Sequence, residues 1–152
     1  MNKKSLISIY ENLAYTHKVH EYEAYLSKLV VTTIRILSIL MLSTALALQY
    51  LDAKFQTRDY TSISISLTVI SVLMQVFQLS FGFESKHDVH RSTAKSAVAI
   101  KNKMKIFIDE ISLHTTDERD AIIEEINAVY ETAPQTGMIA KLLADKAMKS
   151  DK

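Results

Sequence analysis

Apolar and polar positions fall into long blocks along this chain. Residues Tyr60 to Phe83 carry no charged side chain over 24 positions, the length a helix needs to cross the roughly 30 Å hydrocarbon core of a bilayer. A second apolar run, Leu29 to Leu51, precedes it and is interrupted by Arg35 alone. Together with the connector at 52–59, the two runs predict a transmembrane helical hairpin. β-Branched residues such as Val30, Val31, Ile63 and Ile65 are frequent in both runs. Inside lipid, however, a two-stranded sheet cannot satisfy its own backbone, so the runs are expected to be helices. The expected fold class is all-α: a two-span hairpin whose long helices extend into a cytoplasmic helical bundle.

Outside the apolar runs the period shortens to three and four. Ala94, Ala97, Met104, Ile108 and Ile111, widened by Val98, Ile100 and Phe107, form a stripe suited to packing on another helix. The natural partner is the leading segment, where Leu6, Tyr10, Leu13, Tyr15, Tyr22 and Tyr25 give an aromatic-rich face. Helix breakers are scarce: Gly82, Pro134 and Gly137 are the glycines and proline of the whole chain. One helix is therefore expected from about Ser5 to Leu51, some 70 Å long at about 1.5 Å per residue, and a second from Tyr60 to about Leu113. Thr115 and Glu118 have capping-box spacing, which starts a further helix to about Thr132 with Ile122, Ile126, Val129 and Tyr130 inward. A last helix, Met138 to Met148, opposes Ile139, Leu142 and Leu143 to Lys141 and Lys146, an arrangement that suits either the bundle or the inner membrane surface. The resulting divisions are an N-terminal cytoplasmic helix at 1–28, a first span at 29–51, an external loop at 52–59, a second span at 60–83 and a C-terminal cytoplasmic region at 84–152.

Charge sets the orientation. Lys3, Lys4, Lys18 and Lys28 precede the first span, and Lys86, Arg91, Lys95, Lys101, Lys103 and Lys105 follow the second, against Lys54 and Arg58 in the connector. The positive-inside rule places both termini in the cytoplasm. The net charge of +1 is the sum of an apolar centre and charged ends. With no cysteine in the chain, disulfide frameworks, thiolate metal sites and cysteine nucleophiles are excluded. No cleaved signal peptide is expected, because the first apolar run begins behind a charged segment; the mature chain is expected to start at Met1. Phe77, Phe81 and Phe83 at one interface and Tyr50 and Tyr60 at the other read as anchoring aromatics.

The polar residues of the second span are ordered. Thr57, Thr61, Ser64, Thr68, Ser71, Gln75, Gln78, Gly82 and Ser85 follow one another at steps of four and three, the period of a helix wound against others in a left-handed bundle. In one reading, small polar residues let helix backbones approach and bond within the hairpin or an oligomer. In the other, copies of the helix surround an axis and Ser64, Thr68, Ser71, Gln75 and Gln78 line a wetted path. The first span has a weaker counterpart in Arg35, Ser38, Ala45, Gln49 and Asp52. Arg35 either snorkels to the headgroups or sets charge selectivity at an inner mouth. Gly82 is a candidate hinge, being the only glycine before residue 137.

Histidines form two H-x-x-H pairs, His17/His20 and His87/His90. Antiparallel neighbours would bring them to similar depth, as a tetrahedral metal site or a pH-sensitive cluster, although histidines so spaced are more commonly plain surface or interhelical residues. No catalytic triad, phosphate loop or H-E-x-x-H motif is present, and no enzyme activity or cofactor is expected. The lysines at 101, 103 and 105 lack the stacking aromatics of a nucleic-acid site and suit lipid headgroups.

Three segments, ENLAYTHKVHEYEAYLSKL at 11–29, FESKHDVHRSTAKSAVAIKNKMKIFIDEI at 83–111 and AIIEEINAVYETAP at 121–134, together resemble the SLATT family of bacterial two-span membrane proteins. This leading helix has lysine and tyrosine where the family is often richer in arginine and aromatics. The resemblance implies an effector of bacterial conflict or anti-phage systems that assembles as a homo-oligomer in the inner membrane and opens a pore. It also implies a separately encoded sensor: a nucleotide-signal synthase, a SLOG protein or a reverse transcriptase. Residues 84–150 would then receive the signal. The competing reading is a non-conducting membrane anchor or scaffold that recruits a cytoplasmic partner.

Overall fold

A computed structural model describes residues 3–55, 58–110 and 115–150. All regular structure among them is helical: α1 (Lys3–Phe55), α2 (Thr61–Ser80), α3 (Phe83–Asp109), α4 (Thr116–Thr132) and α5 (Met138–Ser150). The contacts divide the chain into two compact units, one of residues 1–26 and 86–152, the other of residues 27–85.

In the first unit, the start of α1 packs on α3 and α4. Leu6 and Leu13 of α1, Ala97, Ile100, Met104 and Phe107 of α3, and Ile126 and Val129 of α4 form one buried cluster. These positions recur at three and four, so each helix turns a continuous apolar stripe inward. The capping box at the head of α4 is formed: the Glu118 amide donates to Thr115 Oγ1 at 3.4 Å, and the Thr115 amide donates to the Glu118 carboxylate at 2.9 Å. Farther along α1, Val19 packs with Ala140 and Ala144 of α5, flanked by Tyr15, Tyr22 and Leu26.

Several expectations are corrected. Tyr25 and Tyr130 are exposed, at 60% and 39%. The face that α5 turns inward is its alanine face, with Ile139 and Leu142 outside, because alanine alone permits close approach to the crowded, tyrosine-rich surface of α1. Helix α1 continues past Leu51 to Phe55, through residues that hold no breaker. The single helix expected from Tyr60 to Leu113 is two helices. Gly82 adopts a left-handed φ of +58°, its amide donating to the Leu79 carbonyl at 3.2 Å, which closes α2 in the manner of a glycine C-cap. Thr57, Ile111 and Leu113, each included in a sequence pattern above, lie outside the described residues.

The second unit holds both apolar runs. Each contains a helical stretch long and apolar enough to cross a membrane, and only 17% of the most apolar window is buried in either case. Its large apolar side chains point outward, among them Ile39, Leu40, Leu46, Leu73 and Leu79.

Leu13 is fully buried at the centre of the first cluster. Leu13→Ala is expected to cost about 2–5 kcal/mol, measured as a lowered thermal midpoint of the detergent-solubilised protein.

Candidate functional site

Apart from Val31, the side chains buried in the α1–α2 hairpin are small or polar. On α2 these are Ser64, Ser71 and Gln78, spaced by seven; on α1 they are Ser38, Ala45 and Asp52, also spaced by seven. That repeat keeps one seam facing the partner helix along the hairpin. Hydroxyls bond across it: Ser64 Oγ donates to the Ala45 carbonyl at 3.1 Å and Ser71 Oγ to the Ser38 carbonyl at 3.2 Å. Moving seven residues along α2 moves the partner seven residues back along α1, the register of an antiparallel pair. Ser38 Oγ itself is buried without a hydrogen-bond partner. Hydroxyls on the outer faces are satisfied within their own helices, as Thr44, Ser66 and Ser80 donate to the carbonyls four residues back. They can thus lie on an apolar surface with no bare donor.

Both ends of the hairpin are fastened by charged groups. At the turn, the buried Asp52 carboxylate accepts from the Tyr60 amide at 3.2 Å and from Thr61 Oγ1 at 2.9 Å. It thereby places a negative charge at the N-terminus of α2, where the helix dipole favours it. At the other end the Arg35 guanidinium pairs with Glu84, its stem leaning toward the N-terminus of α1 as helical side chains do. Beside that pair, Arg35, Ile39, Gln75, Gln78 and Leu79 line an open groove of about 330 Å³. Phe77, Phe81 and Phe83 gather round the Gly82 turn, the first two rings 4.3 Å apart.

The stripe read from the sequence is therefore divided. Ser64 and Ser71 are fully buried inside the hairpin; Thr68 is half-buried and bonds back to the Ser64 carbonyl; Gln75 is exposed and shares the groove with Gln78 and Arg35. In the sequence Asp52 enters as the last member of the first span's weaker polar row, and Glu84 enters no polar row. For Asp52 a signal existed, an acidic residue beside the turn that opens the next helix. Glu84 reaches Arg35 only because Gly82 ends α2, which no periodicity shows.

In the first unit one pair of histidines meets. His20 and His90, both buried, place their Nδ1 atoms 2.9 Å apart, one ring donating and the other accepting, with ring centroids at 5.2 Å. Burial and the neighbouring His90 ring push His20 down to about 4. His90 is also lowered, by burial, with Glu23 opposing and Lys86 assisting. His87 donates from Nδ1 to the Ala24 carbonyl at 2.8 Å. His17 stands 3.9 Å from Glu21, its pKa lowered by burial, raised by Glu21 and lowered again by Lys101 and Lys18. Among the described residues, no group of three or more metal-ligating side chains is arranged to hold a metal ion.

A family model for the SMODS and SLOG-associating 2TM effector domain, family 4, matches residues 3–152. The chain belongs to this SLATT family. No curated protein and no solved structure matches it. Membership makes the chain a two-transmembrane effector domain of a family associated with SMODS and SLOG proteins, in keeping with the two apolar helices of this SLATT protein.

Two outcomes follow from the geometry. Ser71→Leu forces a branched side chain into a fully buried contact and should unpack the hairpin, whereas Ser38→Ala removes a hydroxyl that bonds nothing and should be neutral or stabilising; resistance to unfolding in detergent measures both. For the histidine pair, His20 binds a proton more weakly folded than unfolded, so the unfolded state gains protons first as pH falls. The stabilisation from neutral His20 is full above about pH 6.5 and is lost as the pH falls toward about 4. Thermal midpoints across that window should fall more steeply for the wild type than for His20→Leu/His90→Leu.

Proposed function

We propose that this SLATT protein is a non-enzymatic, pore-forming effector of a bacterial anti-phage or conflict system. It acts in the inner membrane with both termini cytoplasmic and is opened by a separately encoded sensor. The observation that carries this reading is the groove of Arg35, Gln75 and Gln78, open on a hairpin whose other outward side chains are mostly apolar. In a lone hairpin that groove would face hydrocarbon at a cost of several kcal/mol for each unsatisfied polar group. Several copies arranged about an axis bring the grooves together and wet them, which two helices alone cannot do. Gln75 and Gln78 then form the widest polar ring, Arg35 biases the inner mouth toward anions, and Glu84 masks that charge while the pair holds. Ser64 and Ser71 remain within each hairpin, or join the lining when it opens. Gly82 serves as the joint through which residues 84–150 act on the second span.

The alternative, a non-conducting oligomeric anchor or scaffold, is favoured by the burial of Ser64 and Ser71, which assigns that part of the stripe to adhesion within one chain.

The test is expression in bacteria carrying a membrane-potential dye, alone and with a co-expressed SMODS or SLOG protein, with assembly followed by crosslinking. The wild type is expected to depolarise the membrane and Gln75→Leu to assemble without doing so. Assembly with no depolarisation by the wild type in either setting supports the scaffold. A methyl on Gly82 meets no atom within 4 Å, so Gly82→Ala carries only the cost of a left-handed alanine, about 1–2 kcal/mol; its depolarisation should differ from that of wild type. Unchanged depolarisation and toxicity would remove Gly82 from the mechanism.

A further inference from the structure

The groove beside Arg35 holds polar groups that the chain itself does not satisfy. Gln78 lines it and is only 7% exposed; Gln75, one turn earlier, lines it from an exposed position. Among the described residues neither carboxamide has a hydrogen-bond partner. The hydroxyls of the same helix behave otherwise, since Ser64, Ser66, Thr68, Ser71 and Ser80 each donate to a carbonyl. On a hairpin surrounded by lipid, a carboxamide more than nine-tenths buried with nothing to bond calls for a ligand.

The surroundings of the groove say which kind. Arg35 lines it and is paired with Glu84 beside it, so one cation and one anion stand together, both exposed. Ile39 and Leu79 complete the lining with exposed apolar side chains. The volume of about 330 Å³ falls within the roughly 300–1,000 Å³ of small-molecule sites. Arg35 lies six residues beyond Leu29, and Glu84 directly follows the uncharged run at 60–83. With the rings of Phe77, Phe81 and Phe83 gathered at the same end, the groove opens where acyl chains give way to headgroups. A free phosphate or an anionic lipid would satisfy Arg35 and the carboxamides but would set its charge against Glu84. A phosphodiester followed by a primary ammonium satisfies all four.

We propose that the groove is a binding site for one phosphatidylethanolamine molecule. Its phosphodiester oxygens accept from the Arg35 guanidinium and from the Gln75 and Gln78 carboxamides, and its ammonium donates to the Glu84 carboxylate. Its acyl chains run along Ile39 and Leu79. Headgroup and side-chain pair thus form a square of alternating charge. Phosphatidylcholine has the same charges but no N–H to give Glu84, and phosphatidylglycerol has no cation. The proposal rests on the membrane-spanning hairpin and deepens the function proposed above in one respect. It names what fills the groove while a hairpin stands alone, and what must leave before several copies bring their grooves together.

The test is native mass spectrometry of the full-length, detergent-solubilised protein, titrated with phosphatidylethanolamine, phosphatidylcholine and phosphatidylglycerol of identical acyl chains. The wild type is expected to hold phosphatidylethanolamine about tenfold more tightly than either other lipid, as one charge-assisted hydrogen bond allows. Gln78→Leu and Arg35→Gln should weaken that binding by a similar factor, with circular dichroism confirming their helix content. Glu84→Gln, at an exposed position, should bind phosphatidylethanolamine and phosphatidylglycerol alike. Millimolar inorganic phosphate should displace neither. Equal retention of the three lipids by the wild type, or an unchanged preference in Glu84→Gln, means a nonspecific lipid annulus and overturns the proposal. Displacement by inorganic phosphate means that the groove reads a free anion, and overturns it too. The outcome is separable from conduction. Protein that holds phosphatidylethanolamine selectively but never depolarises cells refutes the pore and leaves this site standing, whereas depolarisation without selective lipid binding does the reverse.

Discussion

Close approach of two helix backbones is the constraint on which this molecule depends. Hydrocarbon supplies no hydrophobic drive between apolar helices, so α1 and α2 need contacts that lipid cannot match. Fully buried serines and an alanine provide them by bringing the backbones near enough for Ser64 and Ser71 to reach carbonyls on the opposite helix. A soluble hairpin of this length would hide leucines and show serines. Here the arrangement is inverted, because the surrounding solvent is apolar and the seam is the one place where a hydroxyl finds a partner outside its own turn.

The seam is weak residue by residue, which explains why charged groups stand at its two ends. Each intramembrane hydrogen bond contributes on the order of 1 kcal/mol, and a two-helix contact has few of them. Asp52 at the turn and the Arg35–Glu84 pair at the opposite end hold the register where headgroups and water lower the cost of charge. The turn uses a buried carboxylate on a helix dipole, a fixed arrangement. The other end uses an exposed ion pair next to a left-handed glycine, and exposed pairs are worth about 0–1 kcal/mol. The hairpin is thus fixed at one end and lightly held at the other, an asymmetry that would suit the gating proposed above.

Much of this organisation is legible in the sequence, because hydrophobic period and helix-stop chemistry act locally. The core positions of α3, the capping box at Thr115 and the stop at Pro134 all follow from neighbours within a few residues. The illegible parts depend on a partner's shape. Spacing puts Tyr25 on a pairing face and Tyr130 inward, and it groups Ile139 and Leu142 on a face that suits either the bundle or the membrane surface. The structure buries Val129, as its spacing predicts, and gives the remaining inward places to Ala24, Ala140 and Ala144, since where two helices come close the smaller residue fits. The polar stripe of the second span is one periodic row in the sequence. Its division could not be seen, because one seventh-residue subset meets α1 while Gln75 turns away, and only the crossing of the two helices decides which.

That division bears on how the protein works. Had the whole stripe been absorbed into the hairpin, a single chain would have satisfied its intramembrane polarity and nothing would call for further copies. Had none been absorbed, the hairpin would have no seam and could not exist as a unit before assembly. The observed split separates the two: Ser64, Ser71 and Gln78 are buried within the hairpin, while Gln75 stays exposed in the groove beside Arg35. Under the proposed function, that separation would let the block be stored before any pore forms. In that proposal assembly would turn on how well the remaining polar groove is masked, and the Arg35–Glu84 pair lies at its edge.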